Sequence, residues 1–159
     1  MRKPMHIQRV PRSPARQKGS SLLEVLIAVL VMAIGMLGIA ALQAITLKNS
    51  NSSAGRSQAV IHIYSAYDTL RLDRANALAG RYDVPGFVCA AQTAAEGDTN
   101  DYSVFNGWLA GLQGAMGGDA CGRIDCDQST SSCVVGVQWN DSRAAGGSAE
   151  EKFEINSRL

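Results

Sequence analysis

The residues with the most chemistry open to them are four cysteines, Cys89, Cys121, Cys126 and Cys133, all in the second half of the 159-residue chain. A cysteine can act as nucleophile, metal ligand or half of a disulfide, and its neighbours in sequence help to separate these roles. Cys121-x4-Cys126-x6-Cys133 lacks the paired C-x2-C hooks of a zinc site, and neither His6 nor His62 lies close by in sequence, so no metal is expected. No serine, cysteine or histidine constellation joins a nucleophile to a base, and there is no phosphate loop. No catalytic residue, no cofactor and no enzymatic activity are therefore expected. Asp119, Asp125, Asp127 and Asp141 lack the D-x-D-x-D-G spacing of a calcium loop and read as solvated turns. Arg71, Arg74 and Arg81 are interleaved with Asp68, Asp73 and Asp83, which favours intrahelical pairs such as Asp68 with Arg71 over a nucleic-acid surface.

Glu24 stands out by position. It precedes Val25–Leu42, VLIAVLVMAIGMLGIAAL, an uncharged run of 18 residues. As a helix that run covers about 27 Å of a bilayer core about 30 Å thick, so it can span a membrane. A carboxylate at the edge of such a helix costs about 2.5 to 3.5 kcal/mol to insert unless a partner compensates it. It also fits a simpler role. Ser21-Leu22-Leu23-Glu24 has capping-box spacing, which starts a helix and favours an acid in its first turn.

Charge orients the run. Residues 1 to 19 carry Arg2, Lys3, Arg9, Arg12, Arg16 and Lys18 with no acid, a charge of +6, while the whole chain carries +1; the rest therefore totals −5. With the basic arm before the span and Lys48 the first positive charge after it, the N-terminus is expected in the cytoplasm and the remainder outside. In a bacterium that outer compartment is the oxidising periplasm, where the cysteines would pair. Four cysteines allow three pairings. The expected ones are Cys126 with Cys133, facing across a hairpin, and Cys89 with Cys121, tying the segment after the helix to the sheet.

The elements that position these residues follow from periodicity. Pro4, Pro11 and Pro14 and the lack of an apolar period leave residues 1 to 18 as an unstructured arm. Past Leu47 the chain is polar, and Gly55 weakens a helix by about 1 kcal/mol relative to alanine. Val60, Ile63, Tyr64, Tyr67 and Leu70 nevertheless fall at helical spacing, so the spacing predicts that the helix continues to about Ala79, with Gly80 as its stop. Phe105, Trp108, Leu109 and Leu112 predict a short helix within Asp101–Met116. Cys133, Val135, Val137 and Trp139 share one side of a strand, residues 122 to 127 form its partner, and residues 152 to 156 alternate again with Phe153 and Ile155 inward. The expected fold is α+β, a long N-terminal helix with an apolar transmembrane half and an amphipathic half, packed on a small antiparallel sheet head. Its expected parts are a basic leader peptide (1–19), a transmembrane or assembly half (20–48), an amphipathic half (49–79) and a periplasmic globular head (80–159).

The junction Lys18-Gly19-Ser20-Ser21-Leu22-Leu23-Glu24-Val25-Leu26-Ile27-Ala28 resembles the processing site of type IV pilins and pseudopilins. In that family a prepilin peptidase cuts after a glycine, and a glutamate stands fifth in the mature chain. The resemblance implies cleavage between Gly19 and Ser20, N-methylation of the new terminus at Ser20, and a subunit-assembly role for Glu24. Its partner would be the terminal amine of an adjacent subunit. The continuation Ile34–Gln43 is similar to the minor pilins of the type IV pilus modification group, as is, less specifically, a helix bearing Trp108 before a strand ending in Trp139.

Two features depart from major pilins, namely serine rather than phenylalanine at residue 20 and no proline within the span. Gly35 and Gly38 serve either to loosen the helix or to let helices pack closely. The implied partners are prepilin peptidase, other pilins and the inner membrane. The implied place is first that membrane, as a single-pass precursor, and then a pilus on the cell surface. A type II secretion pseudopilin shares this N-terminal logic. A secreted or anchored periplasmic protein with an ordinary signal peptide cut near Gly38-Ile39-Ala40 is a rival, but an 18-residue run is long for an h-region of 7 to 15 residues and leaves Glu24 unexplained.

Overall fold

The computed structural model describes Gly19, residues 21–144 and residues 146–159. The chain divides into two compact units, Met1–Ala41 and Leu42–Leu159. Helix α1, Leu22–Leu72, begins in the first and ends in the second. In the first unit its large apolar side chains, from Leu22 to Ile39, are all exposed, as expected of a helix apolar on every face.

In the second unit α1 is followed by the short helix α2 (Arg74–Leu78), strand β1 (Val84–Val88), helix α3 (Tyr102–Met116) and strands β2 (Cys121–Asp127), β3 (Ser132–Trp139) and β4 (Glu151–Arg158). The strands form one antiparallel sheet in the order β1-β2-β3-β4. The fold is α+β, with a long N-terminal helix packed on a four-stranded sheet.

One face of the sheet holds the core. Ile124, Cys133, Val135, Val137 and Trp139 meet Phe105, Leu109 and Leu112 of α3 and Ala59, Ile63, Ala66, Tyr67 and Leu70 of α1. The α1 stripe departs from its sequence expectation. Tyr64 is 52% exposed and Val60 only half-buried, while Ala59 and Ala66 take core positions. Two alanines on the stripe offer little volume to fill, and the larger contacts come from Ile63, Tyr67 and Leu70. The Tyr67 hydroxyl reaches Cys133 O at 2.6 Å and Ile155 O at 2.7 Å, tying the helix to β3 and β4 together.

Trp108 is the equivalent tie from α3. Its indole N–H donates to His62 O at 2.8 Å, and its ring lies where a side chain on Gly122 would collide with it. Phe87 of β1 lies on the opposite face, with its ring at the place a Gly136 Cβ would occupy (3.0 Å from Cζ). Gly55 also gains a reason: a Cβ there would stand 3.2 Å from the Trp139 indole nitrogen, so the helix keeps a glycine where the tryptophan packs.

Three features differ from expectation. The long helix stops at Leu72 rather than near Ala79, because Asp73 leaves helical geometry (φ −128, ψ 57). Its carboxylate takes hydrogen bonds from Tyr82 Oη at 2.6 Å and Asn76 Nδ2 at 2.7 Å. That pair pushes the Tyr82 phenol up to about 12 and holds Asp73 below the usual carboxylate range. Strand β1 has no counterpart among the expected elements: it is an edge strand whose register shifts between Val84 and Val88, where a proline is tolerated. Phe153, expected inward, is 37% exposed on the other edge strand, although Ile155 packs against the core.

Candidate functional site

The candidate site is the start of α1. Ser21 lies just before the helix and caps it: the Glu24 N–H lies 3.2 Å from Ser21 Oγ and 3.0 Å from Ser21 O, and the Val25 N–H lies 3.3 Å from Ser21 O. These contacts satisfy backbone donors that a helix N-terminus otherwise leaves open. The return bond of a capping box, from the Ser21 N–H to the Glu24 carboxylate, is not among the hydrogen bonds of the described residues. The Glu24 backbone is therefore held by the cap, while its carboxylate has no hydrogen-bond or ion-pair partner among them.

Glu24, Val25, Ala28, Val29 and Met32 line a shallow, open depression of about 410 Å³ on one face of the helix. A carboxylate at the helix N-terminus is favoured by the backbone dipole, but that accounts for only about 0.3 to 1 kcal/mol. An ionised carboxylate in an apolar setting costs more the deeper it lies, up to about 2.5 to 3.5 kcal/mol at the centre of a span, so a compensating charge beside Glu24 is stabilising. Gly19 is exposed, and Ser20 lies outside the described residues, as does the rest of the basic leader expected before Gly19.

The remaining sequence candidates fall in the Leu42–Leu159 unit, away from any reactive arrangement. Cys89 is bonded to Cys121 and Cys126 to Cys133, with Cα separations of 4.1 Å and 4.0 Å. Cys126 and Cys133 are direct partners in the β2–β3 register. Among the described residues no free cysteine remains, and no group of three or more metal-ligating side chains is assembled.

Of the aspartates expected in solvated turns, Asp119 and Asp127 are exposed, but Asp141 is 8% exposed and accepts a hydrogen bond from Ser52 Oγ at 2.6 Å. A contact of that kind joins residues 89 positions apart, and no local pattern in the sequence announces it. Asp125 is half-buried and shares Arg123 with Glu154, each at 2.8 Å. Asp68 meets Arg71 at 3.5 Å.

Residues 14–40 match the family model described as the prokaryotic N-terminal methylation motif. Neither a curated protein nor a solved structure matches the chain. The matched segment contains Gly19, Ser20, Ser21, Glu24 and most of the apolar run, so it coincides with the geometry above. An apolar N-terminal helix of this length together with the motif fits a membrane-anchored precursor that a prepilin peptidase processes. The motif indicates an N-terminus of the type IV pilin-like or pseudopilin kind, and it suggests a structural protein rather than an enzyme.

Proposed function

We propose that the chain is a minor pilin of the type IV pilus, of the PilV kind, which is cut between Gly19 and Ser20 and enters the filament through α1. The observation that carries this reading is Glu24: a carboxylate in the capped first turn of an apolar helix, without a partner among the described residues. Cleavage after Gly19 creates an amine on Ser20. That amine on one subunit is the compensating charge for Glu24 on its neighbour, and the pair is strongest in a dry bundle of helices. N-methylation of Ser20 keeps the positive charge, so it is compatible with the pairing.

Before assembly the precursor sits in the inner membrane with its basic leader in the cytoplasm, where the positive-inside bias places it. The Leu42–Leu159 unit then faces the periplasm, whose oxidising conditions suit both disulfides. Helix packing of the head-to-tail kind builds an open filament, in which this subunit primes or modifies assembly.

The test is Glu24→Gln. The variant should be processed like the wild type but recovered in sheared pili at less than a tenth of the wild-type amount. Undiminished incorporation would refute the pairing. Deletion of the gene separates the pilus from the secretion-system version: loss of surface pili with intact type II secretion supports the reading, and the reverse replaces it with a pseudopilin.

A further inference from the structure

Residues 48–57 of α1, Lys-Asn-Ser-Asn-Ser-Ser-Ala-Gly-Arg-Ser, are the stretch of that helix least suited to being helical. Asparagine and serine bond competitively to nearby backbone, and glycine loses more conformational freedom than any other residue on folding. The stretch also contributes nothing to the buried core, because the first buried residue of α1 is Ala59. It lies wholly within the Leu42–Leu159 unit. Something other than propensity or core burial holds it.

Among the described residues, its side-chain partners in the rest of the fold come from one corner of the sheet, where β3 ends at Trp139, the connection passes Asp141 and β4 begins at Glu151. Ser52 Oγ donates to Asp141 Oδ2 at 2.6 Å. Arg56 Nη2 donates to Glu151 Oε1 at 2.6 Å. Between them, Trp139 packs its indole against Gly55. The described residues of the connection are tied to one another. The Asp141 N–H donates to Ser148 O at 2.8 Å, its carbonyl accepts from the Ala144 N–H at 2.9 Å, and Gly147 sits so close to that carbonyl that a Cβ would collide with it.

We propose that the β3–β4 connection is a strap that holds an intrinsically weak segment of α1 in helical form, and that releasing it lets residues 48–57 unwind while the core stays folded. Ten residues passing from helix to extended chain lengthen from about 15 Å to about 33 Å. Releasing the strap therefore about doubles the length of this segment of the Leu42–Leu159 unit. Two short polar contacts and one ring on a glycine are the features to be broken, and none of them is part of the buried apolar cluster except Trp139.

The test is amide hydrogen exchange on the full chain in detergent micelles, followed by mass spectrometry of peptides covering residues 48–57 and β3. The double variant Ser52→Ala, Arg56→Gln removes both polar straps from the helix side. Alanine is the better helix former, so propensity alone would leave exchange in 48–57 equal or slower. The strap predicts the opposite sign: exchange there at least tenfold faster, with β3 unchanged. Adding Asn49→Ala, Ser50→Ala and Ser53→Ala, three exposed positions, should restore protection. Equal or slower exchange in the double variant overturns the proposal. So does an equal rise in β3, because the contacts would then belong to the core rather than to a separable strap.

Discussion

The two compact units of this chain treat apolar residues in opposite ways. In Leu42–Leu159, the large side chains of Ile63, Tyr67, Leu70, Phe105 and Leu112 are fully buried between two helices and a sheet, and Tyr67 and Trp108 add hydrogen bonds from each helix. In Met1–Ala41, every large apolar side chain of the described helix is exposed, from Leu22 at 92% to Ile39 at 59%. Their surroundings account for the difference. From Ala59 on, the second unit supplies its own apolar environment, whereas the first unit, like the exposed Leu42, Ile45 and Leu47 that follow it, needs lipid or neighbouring helices to provide one. The same contrast separates the polar groups. Asp141 and Arg123 find their partners within the fold, while Glu24 has none among the described residues.

Substitutions that create cavities sharpen this comparison most. Phe105→Ala should lower the unfolding free energy of the Leu42–Leu159 unit by about 3 to 5 kcal/mol, measured by denaturant unfolding of the full chain in detergent. Leu30→Ala should change it by less than about 0.5 kcal/mol, because Leu30 is exposed and outside that unit. A large effect of Leu30→Ala would break the division.

The disulfides come next. In the chain-entropy account, removing Cys89–Cys121, with a sequence separation of 32, costs about 3.7 kcal/mol, and removing Cys126–Cys133, with a separation of 7, about 2.5 kcal/mol. Paired alanine variants compared by urea titration should show that order, and the reverse order would mean that native packing outweighs loop closure.

Glycines give a smaller and oppositely signed pair. Gly122→Ala should destabilise the second unit by about 1 to 3 kcal/mol, because the Trp108 ring occupies the space. Gly35→Ala meets nothing within 4 Å and should stiffen the helix by about 0.5 to 1 kcal/mol, read as slower amide exchange around residue 35.

The smallest expected effect is one of pH. Burial pushes the Asp83 carboxyl up to about 6, against the pull of the Cys126 N–H at 3.1 Å and with help from the neighbouring Asp125 charge. A folded pKa above the unfolded value means that the folded chain holds this proton more tightly. The resulting stabilisation is full below about 4 and is lost as pH rises through about 6. Asp83→Asn, which keeps a hydrogen-bond acceptor, should remove that part of the pH dependence. Melting temperatures at pH 4.5 and 7.5 should therefore differ between variant and wild type mainly at the higher pH, with the variant more stable there. Parallel curves would show that Asp83 titrates normally.

What could be read from the sequence follows the range of the interaction. The apolar run, the alternation from Cys133 to Trp139 and the α3 stripe are local patterns, and each produced an element where expected. Choosing Ala66 over Tyr64 for the core is not local, because both lie within reach of one helix face and only the packed sheet decides between them. Strand β1 was hidden by Pro85-Gly86, since an irregular edge strand takes its identity from the partner it pairs with. Phe153 stayed partly exposed for a related reason: alternation sets the face, but an edge position sets how much of that face is covered.

At the N-terminus the balance is different. Gly19 and Glu24 stand out because their spacing to the apolar run is short and linear. The Ser52–Asp141 contact joins distant segments, and in the sequence Asp141 looked like any turn aspartate.

The central claim is that the basic leader is removed after Gly19. Its most direct test is the N-terminus of the protein recovered from cells with and without active prepilin peptidase, read by mass spectrometry. The account predicts a chain beginning at Ser20, methylated or not, only when the peptidase is active. A chain that begins at Ala41, or that retains Met1 whether or not the peptidase is active, would contradict it.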